Sequence, residues 1–116
     1  MSCHLIEKEK FDSTKELEFK HEEDFIDSDK FDLFVCRCKE CGQLYIGCFL
    51  EINLTSGDDD YWNFWVPVTE EEIAAVRDNH REGINLIQSK KHITWHPSGR
   101  VYWTDCPEFA LVRGPG

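Results

Sequence analysis

Phe34-Val35-Cys36-Arg37-Cys38-Lys39-Glu40-Cys41-Gly42-Gln43-Leu44-Tyr45 packs three of the chain's six cysteines into six residues. The residues leading into it alternate, with Phe31, Leu33 and Val35 pointing one way and Asp32, Phe34 and Cys36 the other, as in a strand. Beyond it, residues 44 to 54 are dense in β-branched, aromatic and aliphatic side chains and read as a long strand. The cysteines therefore fall at the corner of a hairpin, and the fold is predicted outward from that corner.

Downstream, Thr55-Ser56-Gly57-Asp58-Asp59-Asp60 is a turn signal, because Gly tolerates positive φ and Asp bonds its own backbone. The next strand is Tyr61 to Val68, closed by Pro67, which makes a three-stranded antiparallel meander. Thr69-Glu70-Glu71-Glu72 then opens a helix over 69–81. Thr69 can cap the amide three residues on while Glu72 reaches back, and three carboxylates suit the positive end of the helix dipole. Ile73, Val76 and His80 mark its inner stripe. Gly83 is expected to break or bend it, and Ile84, Leu86 and Ile87 continue as a short second helical stretch.

Two further pieces complete the outline. His92-Ile93-Thr94-Trp95-His96, a Pro97-Ser98-Gly99 turn and Arg100-Val101-Tyr102-Trp103-Thr104 form a C-terminal hairpin. Upstream, Leu17 and Phe19 alternate with charge and suggest an edge strand at 16–20, whereas the acidic 21–30 reads as turn. The expectation is one domain over 1–116 with an irregular tail at 106–116. Its fold class is α+β, an antiparallel sheet of about five strands (meander plus C-terminal hairpin) with one main helix on one face.

Composition bounds the function. No run approaches the roughly 20 apolar residues of a membrane span, and Met1-Ser2-Cys3-His4-Leu5 is followed by charge, not an apolar signal region, so the expectation is a cytoplasmic protein. In a reducing compartment six cysteines are thiols or metal ligands before they are disulfides. The balance of 23 acidic against 13 basic residues, net -10, argues against a free-standing nucleic-acid binder, which needs a cationic face. The acids gather before Cys36 and again between Glu51 and Asp78. Such blocks serve solubility, or they steer a basic partner.

Cys38-Lys39-Glu40-Cys41-Gly42 has the form of a zinc knuckle: two thiolates two residues apart can meet one tetrahedral ion, and Gly lets the chain turn around it. Cys36 shares a strand face with Cys38 and is a third candidate ligand. With the knuckle as the hairpin turn, Cys36 is expected opposite Gln43. Cys48 is then about 16 Å further along, which leaves Cys106 as the preferred fourth ligand over Cys3-His4. His92 and His96, about 13 Å apart in a strand, cannot chelate one ion together. The competing reading is reduced cysteines packed as small apolar fillers at a corner. A catalytic thiol has no His-plus-acid arrangement visible by spacing. Asp58 to Asp60 lack the spaced ligands and closing Glu of a calcium loop, and no Gly-rich phosphate cradle is present. Trp62 and Trp65 have opposite parity on one strand, so at least one faces outward or meets the helix.

The run from Cys36 to Tyr45, with Tyr61-Trp62, Pro67-Val68 and Glu70-Glu71-Glu72-Ile73 after it, resembles small bacterial immunity proteins of polymorphic toxin and contact-dependent growth inhibition systems. The likeness covers residues 33 to 75. It implies a non-enzymatic, acidic inhibitor that binds one cognate toxin domain, often a nuclease, as a monomer in a 1:1 complex, touching neither nucleic acid nor membrane. On charge placement, Asp58, Asp59, Asp60, Glu70, Glu71 and Glu72 are the expected electrostatic face and Tyr61 and Trp62 the anchors. The acids would mimic phosphate charge. The alternatives are a zinc-stabilised interaction adaptor and a small cysteine-dependent enzyme using Cys36, Cys38 or Cys41.

Overall fold

The computed structural model describes Phe11 and residues 17–28, 31–53, 59–96 and 98–104, with the side chains of 52, 53, 59 and 60 left out. Of the turn expected at 55–60, residues 55–58, with Asp58, lie outside the described residues, as do Cys3, His4 and the tail with Cys106, while Asp59 and Asp60 are strand and not turn. Among the described residues six strands and two helices run in order: β1 Phe19–Asp27, β2 Phe31–Cys38, β3 Leu44–Asn53, β4 Asp59–Pro67, α1 Glu70–Asp78, α2 Arg81–Ser89, β5 His92–Trp95 and β6 Val101–Thr104. The strands form one sheet in sequence order, antiparallel throughout. The α+β class and the C-terminal hairpin are as expected; among the described residues the sheet has six strands, close to the expected five or so, and two helices of nine residues each stand where one main helix was expected.

The extra extent comes from β1. The acidic stretch from His21 to Asp27, read as turn, is strand paired to β2, with register shifts between His21 and Glu23 and between Asp24 and Ile26. Those irregularities break the period-2 pattern that marks a strand, which is why the segment looked like loop. Charged, bulged strands are also a usual way to protect a sheet edge.

The helical region differs too. Thr69 forms the predicted capping box, its hydroxyl accepting from the Glu72 N–H while the Glu72 carboxylate accepts from the Thr69 N–H at 2.9 Å. The helix ends at Asp78, however, because Asn79 is extended (φ -148°, ψ 104°) and its side chain accepts from the Arg81 N–H at 3.2 Å. Gly83 is not the break. It lies buried in the first turn of α2, where it lets the helix sit close on the sheet.

Two cores result, one on each face. On the helix side Leu33, Val35, Ile46, Cys48, Trp62, Phe64 and Val66 pack beneath Ile73, Val76 and Ile87. On the other side Cys36, Cys38, Tyr45, Trp65, Ile93 and Val101 are buried with Phe11, alongside Leu17 and Phe19. The Phe19 ring stands 5.0 Å from Tyr45 and 5.5 Å from Trp65. Trp62 and Trp65 do point to opposite faces, and both are buried because both faces are covered at their positions.

Candidate functional site

The cysteine corner is a tight turn. Cys38 donates its N–H to Gln43 O at 2.9 Å, Gly42 donates to Cys38 O at 2.9 Å, and Gly42 takes φ 78°. Gln43 therefore lies opposite Cys38, and Cys36 faces Tyr45, two residues further from the turn than the sequence suggested. Cys36 and Cys38 are buried on the face away from the helices, Cys41 is exposed in the turn, and Cys48 is buried on the helix face. Cys48 is thus separated from Cys36 by the sheet itself. Among the described residues no three His, Cys, Asp or Glu side chains gather as metal ligands.

Burial pushes the Cys36 thiol up to about 12, with neighbouring Cys38 and Glu22 adding to it. Burial, then Asp32, does the same to Cys48, also to about 12. A thiol held protonated is a poor nucleophile, and Cys36 and Cys48 each sit within an apolar core.

The predicted acidic face divides. Asp59 and Asp60 begin β4 and Glu70 lies past its end, and eight strand steps of ~3.3 Å set those ends about 26 Å apart. Glu72 is committed to structure: besides capping Thr69 it takes an ion pair from Lys90 Nζ at 3.3 Å, and that ammonium also donates to Pro67 O at 2.9 Å. Glu70 and Glu71 are exposed. Trp62 is only 7% exposed, so it belongs to the core and is no surface anchor, whereas Tyr61 is 48% exposed.

Strand register gives Tyr61 neighbours that the linear sequence does not show. Its ring stacks on Phe49, centroids 5.9 Å apart, and Glu51 is its direct partner on β3. Phe49 in turn faces Asp32 on β2, and Asp32 faces Asp27 on β1. The half-buried Phe49 and exposed Tyr61 are therefore flanked by Asp32 and Glu51, and the backbone of Asp60 and Asp59 continues the same end of the sheet. Burial pushes the Asp32 carboxyl above its usual 3.8; the Ser28 N–H, donating at 3.1 Å, opposes this, and the charges of Asp27 and Asp24 add to it. Phe49, Asp32 and Glu51 were missed because only pairing brings them to Tyr61. The available signal was their common parity on the outward face of β2 and β3.

No described helix is long and apolar enough to cross a membrane. Comparison of the chain with family models, curated proteins and solved structures finds no match.

Proposed function

We propose that the protein is a non-catalytic binding protein that neutralises a basic toxin domain, of the immunity kind its cysteine motif resembles, by covering that domain with the acidic, aromatic end of its sheet. The observation that carries the reading is the Phe49–Tyr61 stack flanked by Asp32 and Glu51. Exposed aromatic rings anchor protein interfaces, and surrounding carboxylates steer a basic partner and reject an acidic one. Burial first, and then the charges of Asp27 and Asp24, raise the Asp32 carboxyl, and a partner's cations would favour its ionised form. The net charge of -10 acts in the same sense at longer range.

Co-expression and pull-down with the product of the adjacent upstream gene test the proposal. A stable complex is expected, weakened at least about tenfold by Tyr61→Ala combined with Glu51→Gln, the scale of one lost anchor. Failure to form a complex, or a complex indifferent to both changes, would remove this reading.

A further inference from the structure

On the opposite face, at the other end of the sheet, a cleft of about 260 Å³ opens between α1 and the β1–β2–β3 corner. Its floor is apolar, made by Val35 of β2, Leu44 of β3 and Ile73 of α1. Its walls are charged, and β1 supplies two consecutive carboxylates, Glu22 and Glu23. Neighbours on a regular strand point to opposite sides; here the register shift between His21 and Glu23 lets both line the same cleft.

Each of these carboxylates is already matched. Arg37 Nε donates to Glu22 Oε1 at 3.1 Å, with its Nη1 tied to Gly42 O at 2.9 Å. Arg77 grips Glu23 through two bonds, Nη2 to Oε1 at 2.8 Å and Nε to Oε2 at 3.2 Å. Two cations cancel two anions, which leaves Glu70 as the uncompensated charge of the lining. The Glu70 carboxylate has no ion pair or hydrogen bond among the described residues, and the helix cap is filled by Glu72 instead. Glu70, Ile73 and Arg77 lie on one helical face, and all three line the cleft, so α1 brings a carboxylate to the same wall as the apolar Ile73.

From this arrangement we infer that the cleft binds an alkylammonium or alkylguanidinium group, its methylene stem on Val35, Leu44 and Ile73 and its cationic head on Glu70. Lys and Arg side chains have this amphipathic form, apolar along the stem and charged at the tip. The volume also suits one such group, since pockets that enclose whole drug-sized ligands run from roughly 300 to 1,000 Å³. A carboxylate or phosphate is disfavoured, because both guanidinium groups are occupied and the remaining charge is negative.

The chemistry is shared by free small cations and by a Lys or Arg presented on another protein, and the test has an arm for each. The free protein, ¹⁵N-labelled, is titrated in one arm with N-acetyl-arginine amide and N-acetyl-lysine amide, and in the other with a nine-residue peptide carrying a single central Arg among Gly and Ser. N-acetyl-norleucine amide is the uncharged control. The expected result is amide shifts at Val35, Leu44, Glu70 and Ile73 with the cationic probes, little response to norleucine, and about tenfold weaker binding in Glu70→Gln. Binding of the amides as tightly as the peptide assigns the site to free small cations, and tighter binding of the peptide assigns it to a protein side chain. Equal response to norleucine, an unaffected Glu70→Gln, or no shift with any probe would overturn the proposal. Because no toxin partner enters the experiment and the cleft is remote from Tyr61, this outcome is independent of the partner pull-down.

Discussion

Gly83 of α2 sits directly on Leu33 of β2: a Cβ at position 83 would stand 3.0 Å from Leu33 Cδ2, 3.2 Å from Cδ1 and 3.3 Å from Val76 Cγ1. In an open helix, replacing Gly by Ala would stabilise by up to about 1 kcal/mol. Here Leu33 and Val76 are both fully buried and have little room to give, and overpacking a core costs about 1–3 kcal/mol. The packing term wins. Gly83→Ala is expected to cost about 1 kcal/mol of stability, read as a lower urea midpoint at unchanged slope; a stabilised variant would mean that α2 is not held this close.

Tyr61 and Trp62 are neighbours with opposite duties. Trp62→Ala opens a large void beneath the helices and should cost about 3–5 kcal/mol, a large share of a typical total of 5–15 kcal/mol. Tyr61→Ala removes an exposed ring and its stack on Phe49, worth about 0.5–1.5 kcal/mol. Paired urea titrations check this, and similar losses at the two positions would contradict the division between core and surface.

What could be read from the chain alone was what depends on near neighbours. Thr69 and Glu72 are three residues apart, and their reciprocal cap is dictated by spacing. The turn at Cys38 to Gln43 and the hairpin around Gly99 are equally local. Features set by pairing between strands were not legible. The length of β1 was hidden by its bulges, and the helix break at Asn79 carries neither Gly nor Pro. Asp59, Asp60 and Glu70 to Glu72 belong to one acidic block of the sequence, yet the length of β4 holds the two groups apart, while Asp32, distant in sequence, is brought beside Phe49 and so to the Tyr61 stack.

The thiols should divide by environment. Cys41 is exposed, while Cys36 and Cys48 are buried and pushed up to about 12. Brief alkylation of the native protein at pH 8, then peptide mass spectrometry, is expected to modify Cys41 and spare Cys36 and Cys48 until denaturant is added. Rapid native labelling of Cys36 would reopen the case for a cysteine-dependent activity.

The Thr69–Glu72–Lys90 cluster should give α1 an acid-sensitive start. Burial pushes Glu72 up, but hydrogen bonds from the Thr69 N–H and Lys90, with the Lys90 charge, carry it below its usual 4.5. A carboxyl depressed in the folded state contributes stability above the unfolded value, and that contribution fades as pH falls from about 4.5 through the folded value. Glu72→Gln keeps an acceptor for Thr69 but loses the ion pair, so it should cost about 0.5–1 kcal/mol at pH 7 and progressively less below pH 4.5. Thr69→Ala, which removes the hydroxyl cap, is expected to cost about 1 kcal/mol at either pH. Urea titrations at pH 7 and pH 3.5 separate the two, since a cap made by a hydroxyl does not titrate.

Asp32 has the opposite sign. Its carboxyl is raised above 3.8, chiefly by burial and then by Asp27 and Asp24 against the opposing Ser28 N–H, so its charge is less favourable in the folded protein than in the unfolded one. The proton it gains on acidification stabilises the fold, an effect complete below pH 3.8 and lost as pH rises through the folded value. Asp32→Asn keeps an oxygen for the Ser28 N–H, now 3.1 Å from the carboxylate, and removes the charge. The variant is expected to be more stable at pH 7 by up to about 1 kcal/mol, with the gain shrinking at high salt through screening and disappearing near pH 3. If Asp32 is kept for binding, the same variant should hold the basic partner less tightly, a trade of stability for function common at recognition sites. A variant less stable at pH 7, or a gain that persists unchanged at pH 3, would show that the Asp32 charge is not unfavourable in the folded protein.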